Sequence, residues 1–274
     1  MNKESHHITE WWDFFVDEHE LLKAISNLPL GDLRYYRKTG STNDLALAWA
    51  AEGAPDLALI YAEEQTAGRG RGNRGWFTPP GTALAFSLVL RPLAGGEKSV
   101  PYFSGLGAIA VCEALERRGQ HPGIKWPNDV LINHRKVCGI LVETVWMGNR
   151  MDCIVLGIGV NVKPGSVPPA VQLNFPATSI ETEMNTNVDR PGLLRDILRS
   201  LLLWRGLLTK DVFFNAWETY LAFRNEEVEI YAEGVPVRTG KIEGLERDGS
   251  LRLRSPDGQI FTVRYGEVHL RPSS

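Results

Sequence analysis

Residues Gly68 to Trp76 read GRGRGNRGW, with three arginines and four glycines in nine positions. The run has neither helical nor strand periodicity, and it cannot enter an apolar core. Yet strand-like Leu57–Ala62 precedes it, and the apolar run Thr82–Leu90 follows it. Such a chain has to build a sheet that carries a cationic, glycine-rich loop on its rim. Glycines let backbone approach a ligand closely and expose its N–H groups. Arginines supply planar, permanently charged forks for phosphate or carboxylate. The loop therefore reads as an anion site.

The rest of the chain narrows the anion. Lys plus Arg number 30 and Asp plus Glu 33, a net charge of −3. The positive charge is local, which favours a small anionic ligand over a nucleic acid. Gly70, Gly72 and Gly75 match GxGxxG, but Thr78-Pro79-Pro80-Gly81 leads into a strand where a dinucleotide fingerprint needs a helix. No GxxxxGK[ST] and no kinase companion motifs are present. Cys112, Cys138 and Cys153 show no CxxC spacing, which argues against a disulfide framework or a zinc site. No segment approaches the ~20 apolar residues of a membrane span, and the N-terminus lacks the order of a signal peptide. A cytoplasmic protein without a membrane partner is expected.

The patterning predicts an α+β fold. Thr9–Asn27 reads as a helix. Ser41-Thr42-Asn43-Asp44 reads as the N-cap of a second helix that Gly53 stops. Ser99–Gly119 is a third, and Ile124–Trp126 is a short strand ended by Pro127. Val130–Ile132 and Val137–Thr144 flank Asn133–Lys136 as a hairpin, and Cys153–Val162 is another apolar strand. Lys163–Asn174 reads as a loop, and Arg190–Trp204 and Val212–Leu221 as helices. From Glu226 onward short strands alternate with glycine-containing turns, the pattern of a small β-barrel of about 50 residues.

A second constellation lies beyond the arginine loop. KWPND, Lys125 to Asp129, presents Asn128 and Asp129 at a strand end, and Lys136 enters an apolar strand in RKVCGILVET. Gly139, and Gly157 and Gly159 of GIGVNV, allow a ligand close to the sheet, where Asn161 adds a polar group. No Ser-His-Asp set accompanies them. This points to chemistry dominated by positioning and charge neutralisation, such as phosphoryl or adenylyl transfer.

Together STN, EEQTAGRGRGNRGW, KWPND, RKVCGILVE, GIGVNV and the closing β-region resemble the biotin protein ligases (biotin–[acetyl-CoA-carboxylase] ligases) from about Arg34 to the C-terminus. The resemblance implies a mixed-sheet catalytic domain of class II synthetase type followed by an SH3-like barrel. The divisions are a helical extension (residues 1–30), a ligase domain (31–225) and the barrel (226–274). It implies that ATP and biotin are substrates, with Mg²⁺, and that biotinyl-5′-AMP is the intermediate. The acceptor would be a biotin carboxyl carrier protein, a subunit of a biotin-dependent carboxylase. By motif, Ser41, Thr42, Asn43, Gln65, Gly68, Gly70, Gly139 and Gly159 would line the biotin end. Arg69, Arg71 and Lys136 would be catalytic, touching carboxylate and phosphate. Trp76, Lys125, Asn128, Asp129 and Asn161 would face the adenylate, with Asp129 toward Mg²⁺. One departure is Asn73, where the family pattern has glycine. The 33 residues before Arg34 do not fit the winged helix-turn-helix of bifunctional members, so no DNA partner is expected. The resemblance allows a homodimer formed edge to edge through the catalytic sheet. The alternative is a lipoate or octanoate ligase or transferase of the same fold; a cysteine-dependent one would need Cys138 in its site.

Overall fold

The computed structural model describes residues 15–72, 74–91, 100–232, 235–264 and 268–272. The first part of the expected N-terminal helix and Asn73 fall outside them. In chain order the elements are α1 (Glu18–Ile25), β1 (Asp32–Tyr36), α2 (Thr42–Ala51), β2 (Ala58–Ala62), β3 (Ala83–Leu90) and α3 (Val100–Glu116). They continue with β4 (Pro122–Lys125), β5 (Asp129–Ile132), β6 (Arg135–Met147), β7 (Arg150–Asn161), α4 (Ile180–Met184), α5 (Arg190–Arg205) and α6 (Asp211–Thr219). The last strands are β8 (Glu227–Ala232), β9 (Val235–Leu245), β10 (Leu251–Arg254), β11 (Ile260–Val263) and β12 (Val268–Pro272).

Seven strands form one sheet in the order β1-β2-β3-β7-β6-β5-β4. β1 and β2 are parallel and the other pairs antiparallel, so the sheet is mixed. β2 and β3 are buried at every position, as continuous apolar runs with both faces covered should be. Leu59, Tyr61, Leu84 and Phe86 face one core with α3 and α5, while Ile60 and Val89 pack with Ala46, Trp49 and Ala50 of α2 on the other face. Two glycines of α3 permit close packing. A Cβ on Gly105 would stand 2.7 Å from Trp217, and one on Gly107 3.2 Å from Ile140.

The second sheet is antiparallel, in the order β11-β10-β9-β8-β12, the small C-terminal β-domain that the turn spacing predicts. It is tied to the first at a point that matters for the site. Trp126 is fully buried, and its indole donates to the Gly249 carbonyl in the β9–β10 turn at 3.0 Å. The strand end that carries KWPND is thus anchored from behind.

Several boundaries differ from the sequence reading. Asn133 and His134 both adopt positive φ, so a two-residue turn closes the β5–β6 hairpin, and Arg135 and Lys136 already belong to β6. α2 begins inside the polar cluster: Ser41 holds the N-cap position but makes no capping hydrogen bond. Gly53, at φ +94°, ends that helix as expected. β1 and α4 are additional to the patterning. Lys163–Asn174 contains two 3₁₀ turns, Pro164–Ser166 and Ala170–Gln172. Among the described residues no helix is long and apolar enough to cross a membrane.

Candidate functional site

The parity of β6 and β7 creates the site. Ile140 and Ile158 point toward α3, where Gly107 receives them. Residues of the opposite parity point to the other face, and three of them, Gly139, Gly157 and Gly159, lack side chains. The resulting floor lies under a cleft of about 360 Å³. One wall is the N-terminus of α2. The second is formed by Arg69–Arg71 and Arg74–Phe77, and the third runs from Ser166 to Ala177.

The arginine segment is a small hairpin. Arg69 and Gly75 form an antiparallel bridge, Gly70 N donates to Arg74 O at 2.7 Å, and Trp76 N donates to Gly68 O at 2.8 Å. Gly72 turns the chain at φ +61°. A Cβ on Gly68 would stand 2.5 Å from the Trp76 carbonyl, so glycine is required at the neck. Of the residues expected in the site, Gly68 is the one absent from the lining; it closes the hairpin instead. Ser41, Thr42, Asn43, Gln65, Arg69, Gly70, Arg71, Trp76, Lys125, Asn128, Asp129, Lys136, Gly139, Gly159 and Asn161 all line the cleft.

One end is an uncharged polar network. Gln65 Oε1 accepts from Thr42 N at 2.8 Å and from Thr42 Oγ1 at 3.1 Å, and Gln65 Nε2 donates to Thr78 Oγ1 at 3.2 Å. Ser87 Oγ, fully buried, lies 2.8 Å from Thr42 Oγ1 and 2.6 Å from Asn43 Oδ1. Asn43 fits because Gly157 has no side chain: a Cβ there would stand 2.1 Å from Asn43 Oδ1.

The other end is ionic. Lys136 Nζ lies 2.6 Å from Asp129 Oδ1, and Lys125 Nζ 3.9 Å from Asp129 Oδ2. Burial pushes the Asp129 carboxyl up, but Lys136 and then Lys125 outweigh it and hold the group below its ordinary value. Asn128 donates to Ile140 O at 2.7 Å and accepts from Arg71 Nη1 at 3.2 Å, which joins the hairpin to the KWPND turn. Lys125 also lies over the Phe175 ring, 4.7 Å from its centroid. Trp76 lies across the floor. A Cβ on Gly159 would stand 2.3 Å from its indole and one on Gly139 3.1 Å away, and Lys136 Nζ is 5.4 Å from the ring centroid.

One placement departs from the expected roles. The Arg69 fork is engaged by the protein itself, through Glu143 at 2.9 Å to both terminal nitrogens and Asp44 at 2.5 Å. Its hydrogen bond to Glu143 raises its pKa further. Cys138 has the parity of Ile140 and belongs to the core beside α3, fully buried, with its thiol pushed up by burial. It is not a residue of the cleft lining. Sequence reasoning gave no role to Glu143 or to the Ser166–Ala177 wall. Glu143 stands four residues beyond Gly139 in one strand, so strand parity alone puts it on the cleft face. The wall carried only a Pro- and Gly-rich signature.

Asp129 is the one acidic side chain among the described residues of the lining. No group of three or more His, Cys, Asp or Glu able to hold a metal occurs among the described residues. The donor on offer is the Asp129 carboxylate, a hard oxygen ligand of the kind magnesium takes when a nucleotide supplies most of its other ligands.

The family model described as "Biotin/lipoate A/B protein ligase family" matches residues 35–161, and that for "Biotin protein ligase C terminal domain" matches residues 224–271. The chain is 35% identical over 237 residues to the Biotin--[acetyl-CoA-carboxylase] ligase of Paracoccus denitrificans, covering 81% of this chain and 94% of that protein. It is 38% identical over 187 residues to the Bifunctional ligase/repressor BirA of Bacillus subtilis, covering 67% of this chain and 57% of that longer protein. The biotin protein ligase of Aquifex aeolicus, solved in complex with biotin and ATP, superposes with a TM-score of 0.76 at 27% identity. That match covers 88% of this chain and 99% of the other.

Proposed function

Because the chain belongs to the biotin protein ligase family, we propose that it couples biotin to ATP as biotinyl-5′-AMP and transfers the biotinyl group to a lysine of a carboxylase carrier protein. The observation that carries this reading is the cleft itself. It joins an uncharged hydrogen-bonding end to an ionic end, with an arginine hairpin beside both. The first suits the neutral polar head of biotin, and the second suits a triphosphate.

In the first step the biotin carboxylate attacks the α-phosphorus of ATP and pyrophosphate leaves. Two anions repel as they approach, and Arg71 and Lys136 offset that repulsion with fixed charges. Lys125 and Asn128 face the nucleotide. Asp129 would hold Mg²⁺, which would supply Lewis-acid stabilisation of pyrophosphate as a leaving group. The adenylate is a mixed anhydride that water destroys, so the hairpin and Trp76 serve to cover it. In the second step the acceptor lysine's amine attacks the acyl carbon and AMP leaves. No covalent enzyme intermediate is involved, and the burial of Cys138 supports this. The same reading divides the chain into an extension (1–30), a ligase domain (31–225) and a C-terminal domain (226–274), a division that the two sheets support.

The test is pyrophosphate release with ATP and Mg²⁺, and with biotin, lipoate or octanoate in turn, in the absence of acceptor. A burst near one equivalent with biotin alone is expected, because the enzyme retains its adenylate. Release with lipoate alone keeps the fold and changes the substrate. Release with none of the acids refutes the reading.

A further inference from the structure

Arg69 is the residue whose placement least fits a direct role on the reacting anions. Both terminal nitrogens of its guanidinium lie 2.9 Å from oxygens of Glu143. One of them is also 2.5 Å from Asp44 Oδ1. Glu143 does more than pair with Arg69: its Oε2 accepts from Asn43 Nδ2 at 2.8 Å. It therefore stands where three elements meet, namely β6, the N-terminus of α2 and the first arm of the arginine hairpin. The Glu143 side chain is 25% exposed and that of Arg69 35% exposed. A two-oxygen grip on a planar fork fixes direction as well as distance. Asn43 in turn is buried and closely fitted, with Ser87 at its amide oxygen and glycine beneath it.

We propose that Glu143 is a positioning residue for the acid substrate. Through its grip on Arg69 and its bond to Asn43 it fixes the arginine hairpin against the uncharged end of the cleft. Arg69 then acts as a strut and leaves charge neutralisation to Arg71 and Lys136. This rests on the reading of the cleft as a biotin and ATP site.

The two roles for Arg69 predict opposite effects of removing Glu143. If Arg69 met the substrate anion directly, loss of Glu143 would free its fork, and acid binding would hold or tighten. If Arg69 is a strut, loss of Glu143 releases the hairpin arm and the Asn43 amide together, and acid binding weakens. The nucleotide end keeps its own contacts at Lys125, Asn128 and Lys136 in either case.

The experiment is calorimetric titration with biotin of the parent, Glu143→Gln, Arg69→Ala and the double variant, with melting temperatures measured alongside. KM for ATP is taken from pyrophosphate release at saturating biotin. Glu143→Gln is expected to weaken biotin binding about tenfold, equivalent to about 1.4 kcal/mol, with KM for ATP held within about twofold. The double variant is expected to be no weaker than the worse single variant by more than about twofold, since the two residues act as a unit. A Glu143→Gln protein that melts with the parent and binds biotin as tightly or more tightly overturns the proposal. Should that variant fail to fold, Glu143→Asp keeps the charge while withdrawing it by one methylene, and the same comparison decides. A parent that binds no biotin overturns the functional reading itself, and the proposal falls with it. A parent that binds beside an unaffected variant overturns the proposal alone.

Discussion

Replacing Lys136 with alanine separates what that lysine does for the fold from what it does for the chemistry. Its ammonium lies 2.6 Å from Asp129, whose side chain is only 14% exposed, while Lys125 stands at 3.9 Å. Removing one partner of a fully buried pair costs about 3–5 kcal/mol, largely because the other charge is left unpaired. Here Lys125 remains, and both members of the pair touch solvent in part. The expected loss near neutral pH is therefore about 1–3 kcal/mol. The backbone of residue 136 keeps its bonds to Pro176 O and Thr178 N, at 2.8 and 2.9 Å, so the strand itself is not at stake.

The loss carries a pH signature. In the parent the lysines hold the folded-state pKa of Asp129 below its ordinary value, against the upward push of burial. A depressed folded pKa contributes stability that is present above the unfolded value of about 3.9 and is lost as pH falls through the folded value. Without Lys136, burial has the larger influence and the folded pKa moves upward. The carboxylate then destabilises the fold near neutrality, and acidification relieves the penalty by protonating it. The gap between parent and variant is thus widest near neutral pH and narrows toward about pH 4. Urea unfolding at the two pH values measures it. A gap that stays constant, or no gap at all, refutes the ion-pair reasoning. Adenylate synthesis by the folded variant is expected to be crippled, and near-normal synthesis would refute the role given to Lys136 independently of stability.

Three further outcomes are expected. Arg71→Gly loses the contact to Asn128, so the variant should release biotinyl-AMP into solution, where filtration and chromatography detect it; an adenylate held as tightly as the parent's removes the hairpin's role as a cover. Cys138→Ala should keep its adenylation activity and lose about 1 kcal/mol of stability in denaturant unfolding; abolished transfer in a folded variant would restore a cysteine mechanism. Arg190→Ala should cost about 3–5 kcal/mol, because it strips the partner from fully buried Glu63 at 2.9 Å; a loss below about 1 kcal/mol in urea contradicts that network.

Much of this architecture is legible before any coordinates, and the reason is periodicity. β2, β3 and β7 are apolar runs long enough to be read singly, and Pro127 ends a strand where sterics require it. β1 is five residues with two charges and two tyrosines, so it carries no such pattern; it becomes a strand by pairing in parallel with β2. The cleft residues are legible as types, because arginine, lysine and glycine in apolar surroundings are costly without a reason. Their partners are less so. Arg69 reads as an anion fork, and the carboxylate that engages it lies 74 residues away. Glu143 at the end of ILVE looks like an ordinary polar step out of the core. The parity of Gly139 and Glu143 is legible in the sequence, but only the packing of the folded chain shows that their face of β6 opens onto the cleft.

The two ends of the cleft differ because they face different problems before a ligand arrives. The neutral groups repel nothing: Gln65, Thr42, Ser87 and Asn43 hydrogen-bond in a chain that runs on from the Asn43 amide to Glu143, and this holds a fixed arrangement of donors and acceptors. Lys125 and Lys136 cannot do the same, since two ammonium groups near one point repel in a partly dry site. Asp129 removes that difficulty. Placed between them, it offsets their repulsion and holds both beside the cleft, at the cost of an ion pair that a bound triphosphate would have to reorganise. This predicts that Asp129→Asn acts against the lysines before it acts against any metal. With the carboxylate gone, the two ammonium groups repel without a counter-charge between them, and the fold should lose stability that added salt partly restores by screening. Urea unfolding of this variant and the parent at about 0.05 M and about 1 M salt reports on the idea. A stability loss relative to the parent that is the same at both salt concentrations would mean that the carboxylate serves only as a ligand or a structural contact.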